Sequence, residues 1–220
     1  FKSKLAFGHR RLSIVDLTYK GHQPFTIDDN FTIIYNGEIY NYEIIKDELK
    51  NLGHKFFSKT DTEVFLRSFI QWGKDCFNKF NGMWSAAIYN KSDQTLLISR
   101  DRFGVKPLYY WIHNNETFFF ASEIKQFTKL KEWSPKLNLI RANDFLINGL
   151  LDHTNETLFD GVYQLLGGHY IEIDYNKSKK FINKDIYPIK WYHPKKSTVN
   201  TNFKNSILSF KKYFNESVKI

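Results

Sequence analysis

The sequence predicts an α+β fold, on three observations. Seven short segments rich in β-branched and aromatic residues recur along the chain, each bounded by turn residues. Two amphipathic stripes with apolar residues at spacings of three and four stand among them. Two polar links, NKSDQ (90–94) and NNE (114–116), join neighbouring β-like segments as hairpins.

The elements follow in order. SIVDL (13–17) and FTIIYN (31–36) read as the first strands. A helix over Tyr42 to Asn51 places Ile44, Ile45, Leu49 and Leu52 on one face. A second helix starts after the cap residue Thr60 and runs to about Phe80, with Phe65, Phe69, Trp72, Cys76 and Phe80 as its buried stripe. Cys76, within that stripe, reads as a core thiol. MWSAAIYN (83–90) with TLLISRD (95–101), and LYYWIH (108–113) with TFFFAS (117–122), form the hairpin pairs; GGHYIEID (167–174) adds a further strand. After Asp174 the composition turns to Lys, Asn and Ser with Pro188 and Pro194, as in a linker. Phe203, Ile207, Phe210, Phe214 and Val218 then return to helical spacing.

Composition excludes several classes. The 220 residues are 42% hydrophobic and 18% aromatic, enough for a sizeable core and too apolar for a disordered chain. No run of about 18 apolar residues provides a membrane span. A single cysteine excludes an internal disulfide framework and a cysteine-based zinc site, and points to a reducing, cytoplasmic compartment. The net charge of +9 is spread as single lysines; KSKK (177–180) and PKK (194–196) read as solvated linker. No nucleic-acid-binding pattern accompanies them, so neither a nucleic acid nor a membrane is expected as partner.

Phosphate-loop, dinucleotide, zincin and nucleophile-elbow motifs are absent from the sequence. The seven histidines (His9, His22, His54, His113, His153, His169, His193) never pair at a metal-ligand spacing, and no metal is expected. Four segments rise above this background: GHRRLSIVDL (8–17), YNGEIYN (35–41), KTDTEV (59–64) and RDRFGVKPLYY (100–110). In this order and at these distances they resemble the glutaminase domain of class II glutamine amidotransferases, above all that of the glutamine-hydrolysing asparagine synthetase family. ASEIKQF (121–127), LFDGVYQLLGGHYIEI (158–173) and WYHP (191–194) continue the family order, although LLGG (165–168) replaces its usual Pro-containing turn.

The resemblance implies the four-layer αββα sandwich of N-terminal nucleophile hydrolases, here without its first strand or strands. It places the glutaminase domain at 1–175, a linker at 176–201 and the first helix of an ATP-dependent synthetase domain at 202–220. It implies L-glutamine as substrate. Arg11 is similar to the arginine that grips the α-carboxylate, for which a planar guanidinium offers two parallel hydrogen bonds. Leu12, Ser13, Ile14 and Val15 would line the same wall through their backbone. Asp61 resembles the carboxylate that meets the α-ammonium, with Glu38 nearby. Asn36 and Gly37 resemble the oxyanion hole, one donating through its side-chain amide and the other through its backbone N–H. Read without the family, Arg11 is a surface base, Asp61 a helix N-terminal charge and Asn36-Gly37 a turn. Arg100, Asp101 and Pro107 read as structural.

Two departures shape the expected activity. The family nucleophile is a cysteine at the first position of the mature chain, with its own α-amine as base; this chain begins with Phe1 and holds only Cys76. The chain also stops before the loop that would grip ATP pyrophosphate. The sequence therefore reads as an inactive fragment of a synthetase whose whole form would use ATP, Mg and L-aspartate, and for which a homodimer is compatible. A sister amidotransferase with another acceptor and a non-catalytic glutamine-binding remnant remain as alternatives.

Overall fold

A computed structural model describes residues 5–13, 15–176, 186–194 and 202–219. Ile14, and most of the expected linker, lie outside these described residues. Nine strands, β1 (Phe25–Ile27), β2 (Phe31–Ile39), β3 (Gly82–Asn90), β4 (Thr95–Arg100), β5 (Tyr109–His113), β6 (Thr117–Ala121), β7 (Val162–Gln164), β8 (His169–Asp174) and β9 (Ile189–Lys190), form two antiparallel sheets among the described residues. The larger sheet runs β1-β2-β3-β4-β8-β9; the smaller runs β6-β5-β7. Helices α1 (Tyr42–Asn51), α2 (Asp61–Trp72) and α3 (Cys76–Lys79) cover the outer face of the larger sheet, and α4 (Leu139–Asn148) and α5 (Phe203–Val218) follow later.

Alternation along the strands builds the layers. From β2, β3 and β4, Ile33, Tyr35, Ile39, Trp84, Ile88 and Leu97 face the helices, where Phe65, Phe77 and Phe80 meet them. Phe65 is the hub, with ring centroids 4.7 Å from Phe80, 5.4 Å from Tyr35 and 5.9 Å from Trp84. The opposite faces of the same strands present Ala87, Leu96 and Ile98, which with Ile171 and Ile173 pack on Leu108, Tyr110 and Leu165. Beyond the smaller sheet, Trp111 and Phe119 pack with Phe127 from a 3-10 turn (Ile124–Lys129) and with Trp133 and Phe159. The order is helix, sheet, sheet and a thin fourth layer, the sandwich the resemblance implies; α4 stands outside it with no residue buried.

Several local expectations change. The second helix does not run to Phe80: Gly73, at φ 57°, ends α2, and the chain re-enters α3 at Cys76 through a 3-10 turn. In α1 only Ile45, Leu49 and the stem of Lys46 are buried, while Ile44 and Leu52 are exposed, because Ile44 is rotated off the packed stripe and Leu52 falls past the last turn. The described part of SIVDL is not a strand. Asn36-Gly37 is no turn either: both residues lie inside β2, opposite Ser85 and Trp84. Both hairpins form, and in the three-residue 114–116 loop Asn114 and Asn115, at φ 49° and 58°, take the central places of a turn closed by the Glu116 N–H on the His113 carbonyl. Within the expected linker, Ile186 is buried in the second core and Trp191 stacks on Trp84 at 5.7 Å. Helix α5, capped by Asn202, exposes its whole apolar stripe. Among the described residues no helix is long and apolar enough to cross a membrane.

Candidate active site

A cleft of about 710 Å³ opens between the two sheets. Its floor is Ile34 to Gly37 of β2 beside Ser85 to Ala87 of β3. Leu108, Phe120 and Ala121 form the facing wall, and Gly8, His9, Arg10, Leu12, Lys106, Ser122, Glu123 and Gln126 the rim. Asn36 and Gly37 thus sit on the cleft floor. Gly37 is required by close approach: a Cβ there would fall 2.2 Å from the Met83 carbonyl oxygen and 2.7 Å from the Trp84 Cα. Gly82 repeats this two residues along the pairing, its Cβ position 2.2 Å from the Glu38 carbonyl oxygen.

The other site residues gather where β2 meets α2. Thr60 caps α2 by accepting the Glu63 N–H at 3.2 Å, which sets Asp61 in the first turn. Asp61 is 7% exposed, and its Oδ2 accepts from the Tyr35 hydroxyl at 2.8 Å and the Ile39 N–H at 3.1 Å. Burial pushes the Asp61 carboxyl above the ordinary carboxylate range; these bonds oppose the shift and neighbouring Glu38 adds to it. Burial, and after it the same carboxylate, push the Tyr35 phenol well up. Two acidic groups at one end of β2 favour a cationic guest.

The loop before β1 is held against this corner. Asp16 accepts from the Thr18 N–H and hydroxyl at 2.9 and 2.7 Å and from the Lys59 N–H at 3.1 Å. These bonds lower its carboxyl to about 2. Arg11 does not line the cleft: its guanidinium donates to the carbonyls of Asp16 and Thr18. It lies over Gly21, where a Cβ would fall 2.5 Å from the Arg11 Cζ and 2.6 Å from the Thr60 Cγ2. Arg11 is thereby carried to the N-terminal corner of α2, while Arg10 and Leu12 point to the cleft rim. Ser13 is exposed and Val15 half-buried outside the cleft lining.

Below this corner, Glu63 is fully buried and accepts from the Phe57 and Ser58 N–H groups and the Ser58 hydroxyl, while Arg67 donates to it at 2.9 Å. It fixes the 57–60 turn that presents Asp61. At the far end, Asp101 accepts four backbone N–H groups, from Trp84, Phe103, Val105 and Lys106. Arg100 donates to the carbonyls of Gly104, Lys106 and Leu165. The pair is structural, as its motif suggests, and it sets Lys106 on the rim. Cys76 is fully buried in the first core, away from the cleft, and burial pushes its thiol well up. Among the described residues no group of three His, Cys, Asp or Glu could hold a metal.

Sequence reasoning missed Asp16, Gln23, Tyr35 and Glu63. Asp16-x-Thr18 carries the spacing of an Asx turn, and Thr60-x-x-Glu63 that of a capping box, so two of the four left a readable signal.

A family model described as glutamine amidotransferase domain matches residues 1–185. The chain is 44% identical over 122 residues to asparagine synthetase (glutamine-hydrolyzing) 3 of Bacillus subtilis (strain 168), covering 54% of this chain and 20% of that protein. It is 36% identical over 183 residues to asparagine synthetase (glutamine-hydrolyzing) 2 of the same organism, covering 81% of this chain and 24% of that protein. The chain therefore spans about a quarter or less of these curated relatives. Among solved structures, the glutamine phosphoribosylpyrophosphate amidotransferase from B. subtilis superposes with a TM-score of 0.57 at 16% identity, over 84% of this chain and 34% of that one.

Proposed function

The chain belongs to the glutamine amidotransferase domain family, and from that premise we propose that its cleft binds L-glutamine and serves the release of ammonia from the side-chain amide. One observation carries the reading: β2 lays Asn36 and Gly37 on the cleft floor and carries Glu38, one residue on, beside the buried Asp61. An amide-oxygen site and an ammonium site are thereby strung on one rigid strand.

In this reading Asp61 and Glu38 take the α-ammonium at the corner where β2 meets α2, and Arg11, held at that same corner beside the cleft, takes the α-carboxylate, with Leu12 on the adjoining rim. A thiol adds through sulfur to the amide carbon while its proton passes to the departing nitrogen, and the Asn36 amide and Gly37 N–H receive the charge on the amide oxygen. Collapse expels the nitrogen as ammonia and leaves a thioester; water then returns glutamate and the thiol. Cys76 is not that thiol, being sealed in the core. For the whole protein we propose a cytoplasmic asparagine synthetase, with L-aspartate, ATP and Mg at a further domain that takes up the ammonia.

Calorimetric titration with L-glutamine, L-glutamate and D-glutamine tests the binding step. Saturable, stereoselective heat with a Kd between about 1 μM and 1 mM is expected, the span that enzyme KM values usually cover. No heat from L-glutamine up to about ten times that upper bound overturns the reading.

A further inference from the structure

We propose that Gln23, which no motif above includes, is a positioning residue for this site, its side-chain amide standing in for a missing strand partner of β2. The inference rests on the glutamine reading given above and deepens it. Strand β1 pairs with β2 at Ile27↔Phe31, Thr26↔Thr32 and Phe25↔Ile33. Continued, the ladder would set Pro24 opposite Ile34 and residue 23 opposite Tyr35, but β1 begins at Phe25 and its pairing goes no further along β2 than Ile33. Gln23 closes the gap with its side chain. Its Oε1 accepts the Tyr35 N–H at 2.6 Å, and its Nε2 donates to the Tyr35 carbonyl at 3.1 Å. A planar carboxamide has one donor side and one acceptor side, so it reproduces what a strand's peptide group would offer.

The position matters because of what Tyr35 carries. Its hydroxyl holds Asp61, and its carbonyl belongs to the peptide that begins Asn36. The same Gln23 nitrogen lies 3.4 Å from the Thr62 hydroxyl in the first turn of α2. One side chain therefore ties the strand bearing the oxyanion donors to the helix bearing the ammonium partner. Without it, the Tyr35 peptide faces water on the β1 side, and a shift of about 1 Å in such a site costs on the order of 100-fold in rate.

The test compares Gln23→Met and Gln23→Glu with the unaltered full-length gene product. Gln23→Met keeps the length and removes both bonds; Gln23→Glu keeps the acceptor alone. Amide hydrogen exchange at Tyr35 and glutaminase kcat and KM are read side by side. In Gln23→Met we expect Tyr35 exchange at least about 10-fold faster and kcat/KM down about 10- to 100-fold, with exchange in β4 and β8 unchanged. Gln23→Glu should retain the Tyr35 protection and fall between the two in kcat/KM. Unchanged Tyr35 exchange in Gln23→Met overturns the proposal, and so does unaltered kcat and KM in a variant that has merely lost stability. If the unaltered protein does not turn over glutamine, the function proposed above falls, while exchange at Tyr35 still decides whether Gln23 locks the strand.

Discussion

The Tyr35 hydroxyl donates to Asp61 Oδ2 across 2.8 Å, joining the middle of β2 to the first turn of α2 inside the helix-facing core. This bond, with the Ile39 N–H on the same oxygen, is what makes a buried carboxylate tolerable at that position. Burial still leaves the charge disfavoured against these bonds, a condition that suits the ammonium-binding role proposed above.

Asp61→Asn keeps an acceptor for both donors and removes the charge that burial disfavours. Chemical denaturation should show stability unchanged or raised by up to about 1 kcal/mol. Calorimetry should show glutamine affinity reduced about 100-fold, the usual scale for truncating one member of a buried charge pair. A large stability loss with intact binding would assign Asp61 to the scaffold instead.

Gly37→Ala places a methyl group 2.2 Å from the Met83 carbonyl oxygen, where backbone and not a flexible side chain must yield. We expect a loss of about 3 kcal/mol in urea denaturation. The folded fraction should retain little glutamine binding, since the N–H on the cleft floor moves with the strand. A wild-type melting curve would show that β2 and β3 are not so closely set.

Acid should release the loop that carries Arg11. The folded Asp16 carboxyl is lowered from 3.8 to about 2 by its bonds to Thr18 and Lys59. A depressed carboxylate contributes stability in full above its unfolded value and loses it as pH falls through the folded one. The melting-temperature difference between the protein and Asp16→Asn should therefore be constant above about pH 5 and shrink towards zero near pH 2. A difference independent of pH would remove Asp16 as the tether.

Cys76 should behave as core. Iodoacetamide should leave it unmodified in the native protein and label it in guanidinium chloride, as followed by intact mass. Cys76→Ala should leave glutamine affinity unchanged. Rapid native labelling, or loss of binding in Cys76→Ala, would bring this thiol back as a candidate nucleophile.

The strand and hairpin plan was legible because alternation and turn chemistry are local. FTIIYN and MWSAAIYN read as strands from their own residues, and so did the Thr60 cap. What stayed hidden depended on partners far along the chain. The three-residue β1 and β7 and the two-residue β9 are too short for any periodicity to declare them, and they exist only because β2, β5 and β8 offer edges. Helix α4 stayed hidden for another reason: it buries no face against the sandwich, so only Asn138 and Gly149 at its ends mark it.

The candidate site divides in the same way. The chemical types and their order, Arg11, Asn36-Gly37, Glu38 and Asp61, are written in the sequence, and they match what the proposed guest, glutamine, calls for: a cation, an amide-oxygen trap and an anion. Their placement is tertiary. Nothing local says that Asn36 faces the cleft while Tyr35 turns to Asp61; the pleat does, once β3 fixes the register at Tyr35↔Ala86. Nor could periodicity show that Gln23 would replace a strand, or that Asp16 and Glu63 would pin two loops around the first turn of α2. Those contacts span 5 to 43 residues of sequence, with backbone amides as partners in each. A backbone amide is the same group at every position in the chain, so the sequence fixes the chemistry of this pocket and only the folded chain decides which amides complete it.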